Sequence, residues 1–230
     1  MSNFDSDGGA ENEWDERGDL VWNEFDWERY LREQDESIHR YLGFYEAFKG
    51  SPDRIDEVAE RMGWGQDGWG EDDGPEETEA PKSAEDQPAD FKEDDEVYTL
   101  HKNPIFVATK AISLSLKVHW EQKASEAGKV PQPLALALLS SLHRQEENAV
   151  HAIHALDFGD YAMAVSLFKR ALSALNGSLA LLNHEAAGKY RVVAAYREDA
   201  LPRLFDLREI WLRVITECRE ELDRPAEDES

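Results

Sequence analysis

Apolar side chains recur at intervals of three, four and seven residues in two separate parts of the chain, residues 19–64 and 97–224. This spacing places them on one face of an α-helix. In the first part the apolar face is mainly aromatic and continues into a short second helix; its members are Trp27, Leu31, Ile38, Tyr41, Tyr45, Phe48, Ile55, Val58, Ala59 and Met62. Ser51 and Pro52 predict the start of that short helix, and Gly63 predicts its end. Residues 19–64 are therefore predicted to form a helical hairpin.

Residues 97–224 carry four long stripes of the same kind, which predict four helices. Asn103 followed by Pro104 predicts the start of the first of them. Pro202 lies just before the strongest part of the last stripe, so we predict that the fourth helix starts at Asp199. Apolar spacings that alternate between three and four favour helices packed at shallow angles. We therefore predict an all-α protein with a C-terminal antiparallel four-helix bundle.

The segments outside these two parts are acidic and almost free of apolar side chains. In residues 65–96, 14 of the 32 residues are Asp or Glu, and Gly and Pro recur. Such a segment cannot bury enough surface to offset the entropy that is lost when it becomes ordered. We predict a disordered acidic linker over residues 65–96 and disordered tails at residues 1–18 and 225–230.

The net charge of −25 is concentrated in the first part of the chain. Residues 1–96 contain 32 acidic and 9 basic residues, whereas residues 97–230 contain 18 acidic and 16 basic residues. An acidic segment repels nucleic-acid phosphates and anionic membranes, and it attracts basic surfaces. We therefore expect a protein partner with a basic or groove-like surface, and we expect neither nucleic acid nor membrane as a partner.

Cys218 is the only cysteine, which excludes a disulfide framework within the chain and a metal site built on cysteines. The first residues lack the basic start and the apolar run of a secretory signal, and runs such as LALALL are too short to span a bilayer. The sequence also has no glycine-rich phosphate loop and no nucleophile elbow. These observations predict a cytoplasmic protein without a cofactor.

A glycine turn followed by small and aromatic residues joins the second and third helices of the predicted bundle. The residues concerned are Gly159, Asp160, Tyr161, Ala164, Phe168, Ala171 and Leu172, with Ala152 on the preceding helix. This stretch resembles the turn and second helix of a tetratricopeptide repeat, which implies that Gly159 opens the turn and that the alanines let the two helices approach. Asn148 and His151 stand where that family usually has Trp and Leu, and no second copy occurs about 34 residues away. We therefore predict a single antiparallel hairpin and not a repeat array.

The second helix of the predicted bundle carries the densest group of polar side chains. His143, Glu147 and His151 are four residues apart and lie on one face, as a helical metal site requires. Arg144 and His151, with six residues between them, resemble the active motif of HEPN-type helical ribonucleases, which implies that Arg144 would hold a phosphate and that His151 would act as acid or base. An acidic chain repels RNA, and no Glu-x-x-His motif of the di-metal bundles is present in this part of the chain.

Glu146 occupies a position on the apolar stripe of the same helix, where an apolar residue is expected. A buried carboxylate must be paired, protonated or bound to a metal. We predict that Glu146 is a buried polar residue, and its candidate partners are His119 or Lys117 on the first bundle helix and Arg208 on the fourth. The alternative is that the second bundle helix has an ordinary solvated polar face and one buried ion pair.

The aromatic, acidic helix at the start of the chain offers the clearest functional hypothesis. We predict that it inserts aromatic side chains into a groove of a protein partner; the candidate side chains are Trp22, Phe25, Trp27, Tyr30, Tyr41 and Tyr45. The alternative is that this helix docks on the bundle as an additional element of the core. The sequence thus favours a non-enzymatic adaptor, whose bundle serves as a scaffold or as the surface of a homodimer. The alternative function is a small metal-binding or HEPN-like catalytic bundle centred on His143, Glu147 and His151.

Overall fold

The computed structural model describes residues 23–64, 99–125 and 128–224. Within these ranges the chain forms helices joined by turns and contains no β-strand, so the predicted all-α class is confirmed for the part of the chain that the structure describes. The predicted acidic linker, residues 65–96, and the predicted tails at residues 1–18 and 225–230 lie outside the described residues.

The described residues form seven α-helices and one short 3₁₀-helix. The α-helices are α1 (Glu24–Ala47), α2 (Arg54–Arg61), α3 (Pro104–Ala124), α4 (Gln132–Asp157), α5 (Tyr161–Asn183), α6 (Glu185–Gly188) and α7 (Arg191–Asp223). The 3₁₀-helix, Leu100–Lys102, precedes α3. The single turn of α6 was not predicted, whereas the four long helices α3, α4, α5 and α7 correspond to the four apolar stripes of the sequence.

Two of the helix starts follow directly from the residues at their boundaries. The side chain of Asn103 accepts hydrogen bonds from the backbone nitrogens of Ile105 at 3.0 Å and Phe106 at 3.2 Å, and Pro104 begins α3. Asp160 caps α5 by accepting from the backbone nitrogen of Met163 at 2.9 Å. Gly159 adopts a φ of +72°, which a residue with a Cβ rarely adopts, and this allows the tight turn between α4 and α5.

The four long helices share one apolar core. Helix α5 packs against α4 and α7, and α3 packs against both α4 and α7. The largest fully buried side chains include Trp120, Phe168, Tyr196 and Trp211. The indole nitrogen of Trp211 donates to the hydroxyl of Thr109 at 3.1 Å, so the polar atom of this core residue is satisfied.

Helix α7 begins at Arg191, and the predicted start at Asp199 is wrong. Pro202 lies inside the helix, where a proline removes one backbone hydrogen bond and costs about 3 kcal/mol. The segment before it nevertheless buries Val193 and Tyr196 on the same face as the rest of the helix, and Tyr196 donates to the carbonyl of Leu116 at 2.9 Å. Burial of two large side chains offsets the cost of the proline, since each contributes about 1.5–3 kcal/mol.

The contacts within the chain define two compact units, Met1–Glu36 and Ser37–Ser230. Helix α1 begins in the first unit and ends in the second. Within the second unit, the last part of α1 and all of α2 contribute side chains to the core formed with the long helices, among them Ile38, Tyr41, Tyr45, Ile55, Val58 and Met62. The interpretation that this region docks on the bundle therefore holds for residues 38–62.

Helix α2 starts at Arg54 and not at Pro52, which corrects the predicted cap by two residues. The hydroxyl of Ser51 accepts from the backbone nitrogen of Asp53 at 3.2 Å and donates to the carboxylate of Glu57 at 2.8 Å. Ser51 therefore shapes the turn before the helix. Gly63, with a φ of +81°, ends this segment as predicted.

Candidate protein-binding site and charged clusters

The first half of α1, residues 24–36, exposes large apolar side chains. Phe25 has a relative exposure of 76%, and Trp27 and Leu31 have 40% each. Asn23 caps the helix, because its side-chain oxygen accepts from the backbone nitrogens of Phe25 at 2.8 Å and Asp26 at 3.2 Å. The carboxylate of Asp26 accepts in turn from the backbone nitrogen of Asn23 at 3.2 Å, which completes a reciprocal capping arrangement.

The same half of α1, which we call the acidic arm, carries a strong negative charge. Residues 24–36 contain six acidic and two basic residues. Both basic side chains are paired within the arm, Arg29 with Asp26 at 3.4 Å and Arg32 with Glu28 at 2.7 Å. Because these arginines are already neutralised by their neighbours, the remaining carboxylates dominate the electrostatic field of the arm.

The predicted partner-binding residues divide into different environments. Phe25 and Trp27 lie on the exposed arm, and Tyr30 is nearly buried, with its ring edge-on to that of Trp27 at a centroid distance of 6.4 Å. Tyr41 and Tyr45 are fully buried, so their assignment to partner binding is corrected. Trp22 lies outside the described residues.

The buried tyrosines belong to a stacked aromatic group at the end of α1. The ring of Tyr41 stacks on that of Tyr45 at 6.1 Å and on that of Trp64 at 5.6 Å. The hydroxyl of Tyr45 donates to the carboxylate of Asp206 on α7, and burial raises the pKa of Tyr45 far above its ordinary value. These side chains hold the end of α1 against α7.

Two buried arginines add ion pairs that connect α7 with α1 and α2. Arg54 of α2 donates to Asp206, and its guanidinium lies 5.2 Å above the ring of Tyr45. Arg203 of α7 contacts Glu46 of α1 at 2.5 Å and Asp199 at 2.6 Å. It also donates to the hydroxyl of Ser115 on α3 at 3.1 Å, so one side chain links three helices.

His119 also contacts Asp199. Its Nδ1 donates to the carboxylate at a distance of 3.0 Å, and the imidazole is partly exposed. Partial burial raises the pKa of Asp199, but the charge of Arg203 and the hydrogen bond with His119 outweigh it, so the pKa lies below its ordinary value. His119 was predicted as a buried partner of Glu146, and this pairing is wrong because its partner is Asp199.

Glu146 is buried, as its position on the apolar stripe predicted, and it is held by two lysines of α3. Its Oε1 accepts from Lys110 Nζ at 2.7 Å, and its Oε2 accepts from Lys117 Nζ. Burial raises the pKa of Glu146, but the two ammonium groups outweigh it and hold the pKa below its ordinary value. Lys117 was among the predicted partners, whereas Arg208 is exposed and is therefore wrong both as a partner of Glu146 and as a buried residue.

These lysines and Glu146 line an open cleft of about 380 Å³ between α3 and α4, which we call the lysine cleft. His143, Glu147 and His151 line it as well, so the three residues predicted as an alternative metal site do share one surface. His143 Nδ1 donates to the carbonyl of Leu139 at 3.0 Å. Among the described residues, no three His, Cys, Asp or Glu side chains are grouped so that they could hold a metal ion.

The charges in the lysine cleft argue against the alternative metal and ribonuclease functions. Both oxygens of Glu146 are occupied by ammonium groups, which would also repel a metal ion. Arg144 and His151 are both exposed on α4, and the two lysines and two carboxylates that line the cleft with His151 balance one another, so the cleft offers a phosphate no net attraction.

Sequence reasoning missed Arg54, Arg203 and Lys110. Arg203 precedes Leu207 and Val214 by four and eleven residues, so it is a charged residue on an apolar stripe, the same signal that identified Glu146. Lys110 and Lys117 are seven residues apart and are the only Asp, Glu, Lys or Arg residues between Pro104 and Val118, which places them on one shared face of α3. Arg54 has no comparable signal, because its helix is short and its burial depends on contact with α7.

The pairing of Glu146 predicts a specific loss of stability in acid. Because its pKa in the folded protein lies below the value of about 4.3 in an unfolded chain, the ion pairs stabilise the fold above that pH. The contribution is lost as the pH falls through the folded-state pKa. Glu146→Gln should therefore lower the free energy of unfolding at pH 7, and the difference from wild type should shrink towards pH 3, as measured by urea unfolding.

Glu147→Gln is the matched control, because Glu147 lies beside Glu146 on the same helix but is exposed. It should leave the free energy of unfolding nearly unchanged at both pH values. If the difference in the free energy of unfolding between wild type and Glu146→Gln stayed constant with pH, the charge of the Glu146 carboxylate would not be what stabilises the fold.

No protein-family model matches the chain, and comparisons with curated proteins and with solved structures found no match either. In the part of the chain that the structure describes, none of the helices is long and apolar enough to cross a membrane. Function is therefore inferred from the geometry and charge of the side chains themselves.

Proposed function

We propose that this chain is a non-enzymatic interaction protein that presents the acidic arm, residues 24–36, to a protein partner. The observation that carries the proposal is the exposure of Phe25, Trp27 and Leu31 on a helix that is otherwise acidic. Large aromatic side chains are enriched where proteins bind one another, and truncating them usually costs more affinity than truncating other contacts. The described helices after the arm serve as the folded scaffold that carries it.

The chemistry of the arm specifies the kind of partner. Trp27 and Leu31 are four residues apart and lie on one face of the helix, which suits insertion into an apolar groove. The six acidic side chains of the arm favour a groove with a basic rim, and they disfavour nucleic acid. Binding should weaken as salt rises, because exposed charges are screened.

The test compares two triple variants of the full chain in affinity purification from the native lysate, followed by mass spectrometry. The arm variant carries Phe25→Ala, Trp27→Ala and Leu31→Ala. The control variant carries Leu136→Ala, Phe158→Ala and Met163→Ala, which remove apolar side chains that are more than half exposed from α4, α5 and the turn between them. Purification at low and at moderate salt tests whether the negative charge of the arm contributes to binding.

We expect a stoichiometric protein to be retained by wild type and by the control variant, and to fall by about tenfold or more with the arm variant. Retention should also be weaker at moderate salt. A partner that the arm variant retains and the control variant loses would contradict the proposal and assign binding to the region of the α4–α5 turn. The absence of any stoichiometric protein with wild type would contradict it as well.

A further inference from the structure

Two unpaired arginines border the seam between α4 and α5. The hydroxyl of Ser141 on α4 donates to the carbonyl of Ala174 on α5 at 2.9 Å, so the two helices meet at these residues. Arg144 follows Ser141 by three residues, and Arg170 precedes Ala174 by four, so each arginine lies on the side of its helix that borders the seam. Both side chains are exposed, and neither forms an ion pair with the residues that the structure describes.

Few carboxylates lie near these arginines. Helix α5 contains Lys169 and Arg170 but neither Asp nor Glu. The two glutamates that follow Arg144 on α4, Glu146 and Glu147, line the lysine cleft between α3 and α4. The outer side of the α4–α5 seam is therefore basic, although the whole chain has a net charge of −25. Such a surface attracts acidic segments.

The floor of the same seam is apolar and shallow. Leu167, Ala174 and Leu181 recur every seven residues, which places them on the face of α5 that meets Ser141, and all three are half-buried. A Cβ at the half-buried Gly177 would lie 3.4 Å from the hydroxyl of Ser141. Small side chains leave a groove between two helices that the side chains of a third helix can enter. We call this surface, between Ser141–Arg144 of α4 and Leu167–Leu181 of α5, the basic groove.

We propose that the basic groove binds the acidic arm of a second copy of the chain, so that two copies exchange their arms in a closed dimer. This inference rests on the proposed function, because it names the partner of the arm. The apolar floor would receive Trp27 and Leu31, which lie on one face of the arm, and the unpaired cations would face its carboxylates. The arm, residues 24–36, and the groove from Leu167 to Leu181 are each about 20 Å long at 1.5 Å per residue.

The exchange is closed because each copy supplies one arm and one groove. In a two-fold arrangement the arm of each copy fills the groove of the other, so neither site remains open for further copies. The net charge of −25 on each copy opposes this association. The dimer should therefore be reversible and should appear as the protein concentration rises.

The experiment is sedimentation velocity of the full chain over a range of concentrations at near-physiological salt. The groove variant, Arg144→Glu with Arg170→Glu, should raise the dissociation constant of the dimer about tenfold or more, because it places like charges opposite the arm. The matched control, Arg208→Glu with Arg219→Glu, reverses two exposed arginines of α7 and changes the net charge by the same amount. It should dimerise nearly as wild type does. The arm variant described above should lose the dimer as the groove variant does.

A mixture of the two defective variants tests the exchange itself. The arm variant keeps an intact groove, and the groove variant keeps an intact arm, so an equimolar mixture can form one of the two contacts. It should associate more strongly than either variant alone. Circular dichroism of each variant shows whether the helices are retained, and we expect that they are, since the altered side chains are exposed.

Three results would overturn the inference: a chain that stays monomeric at every concentration, a dimer that the groove variant retains, or a mixture no more associated than its separate components. The proposed function is judged separately, by the lysate experiment. If wild type is monomeric but the arm variant loses a different protein from the lysate, the arm is an interaction site and only its assignment to a second copy fails.

Discussion

Replacing Arg203 with alanine should lower the free energy of unfolding by about 2–4 kcal/mol. This is less than the loss of about 3–5 kcal/mol for a fully buried ion pair, because the side chains of Glu46 and Asp199 are 38% exposed and solvent screens them. Arg203 is buried and donates to Glu46, Asp199 and Ser115, which lie on α1, α7 and α3. Its loss leaves a buried hydroxyl and two half-buried carboxylates without their cation. Urea unfolding at neutral pH measures the effect.

Arg170→Ala is the control for this prediction, because Arg170 is exposed on α5. Its effect on the free energy of unfolding should stay within about 0.5 kcal/mol. The loss in free energy of unfolding for Arg203→Lys should lie between those for Arg203→Ala and Arg170→Ala. An ammonium group keeps the charge but cannot reproduce the planar set of donors of the guanidinium. A loss of less than about 1 kcal/mol for Arg203→Ala would mean that the junction of α1, α3 and α7 does not depend on this side chain.

Tyr45→Ala should have a loss of similar size, about 3–5 kcal/mol, because it removes a large side chain from the core and leaves a cavity. Tyr45 is fully buried, stacks on Tyr41 and donates to Asp206. Tyr45→Phe should cost less, about 1.5–3 kcal/mol, because it keeps the ring and removes only the hydrogen bond to a charged acceptor. Thermal or urea unfolding of the two variants separates packing from hydrogen bonding.

Phe25→Ala is the matched control on the same helix. Phe25 has a relative exposure of 76%, so its removal should change the free energy of unfolding by about 0.5 kcal/mol or less. The contrast between Phe25 and Tyr45 distinguishes the two halves of α1. If Tyr45→Ala were as mild as Phe25→Ala, the end of α1 would not be part of the core.

Sequence features whose interacting atoms lie within a few residues of one another, such as helix caps and glycine turns, predicted the local structure well. Asn103 caps α3 and Gly159 permits the turn before α5, because in both cases the deciding atoms are within a few residues of one another. The burial of Glu146 was also predictable, because a charged residue on an otherwise apolar helix stripe is visible in the sequence itself. Its second partner, Lys110, was not predicted, because several cationic side chains could reach the same carboxylate once the helices pack.

The wrong predictions concern features that depend on tertiary packing. Pro202 suggested a helix boundary, but burial of Val193 and Tyr196 keeps the helix continuous through it. Tyr41 and Tyr45 share the aromatic pattern of the exposed arm, and periodicity alone does not distinguish an aromatic side chain that packs in the core from one that faces a partner. That distinction rests on the contacts of Tyr45 and Arg54 with Asp206, which lies more than 150 residues away along the chain.

The most direct test of this account is hydrogen exchange of the full chain, read by mass spectrometry on peptides that cover residues 41–47, 54–61 and 105–116. If the end of α1 and all of α2 belong to the core, the amides of the first two peptides should exchange as slowly as those of α3. All three peptides should also lose their protection together as urea is added. Rapid exchange in the first two peptides, while α3 stays protected, would contradict the account and would make the whole of residues 24–61 a tethered arm.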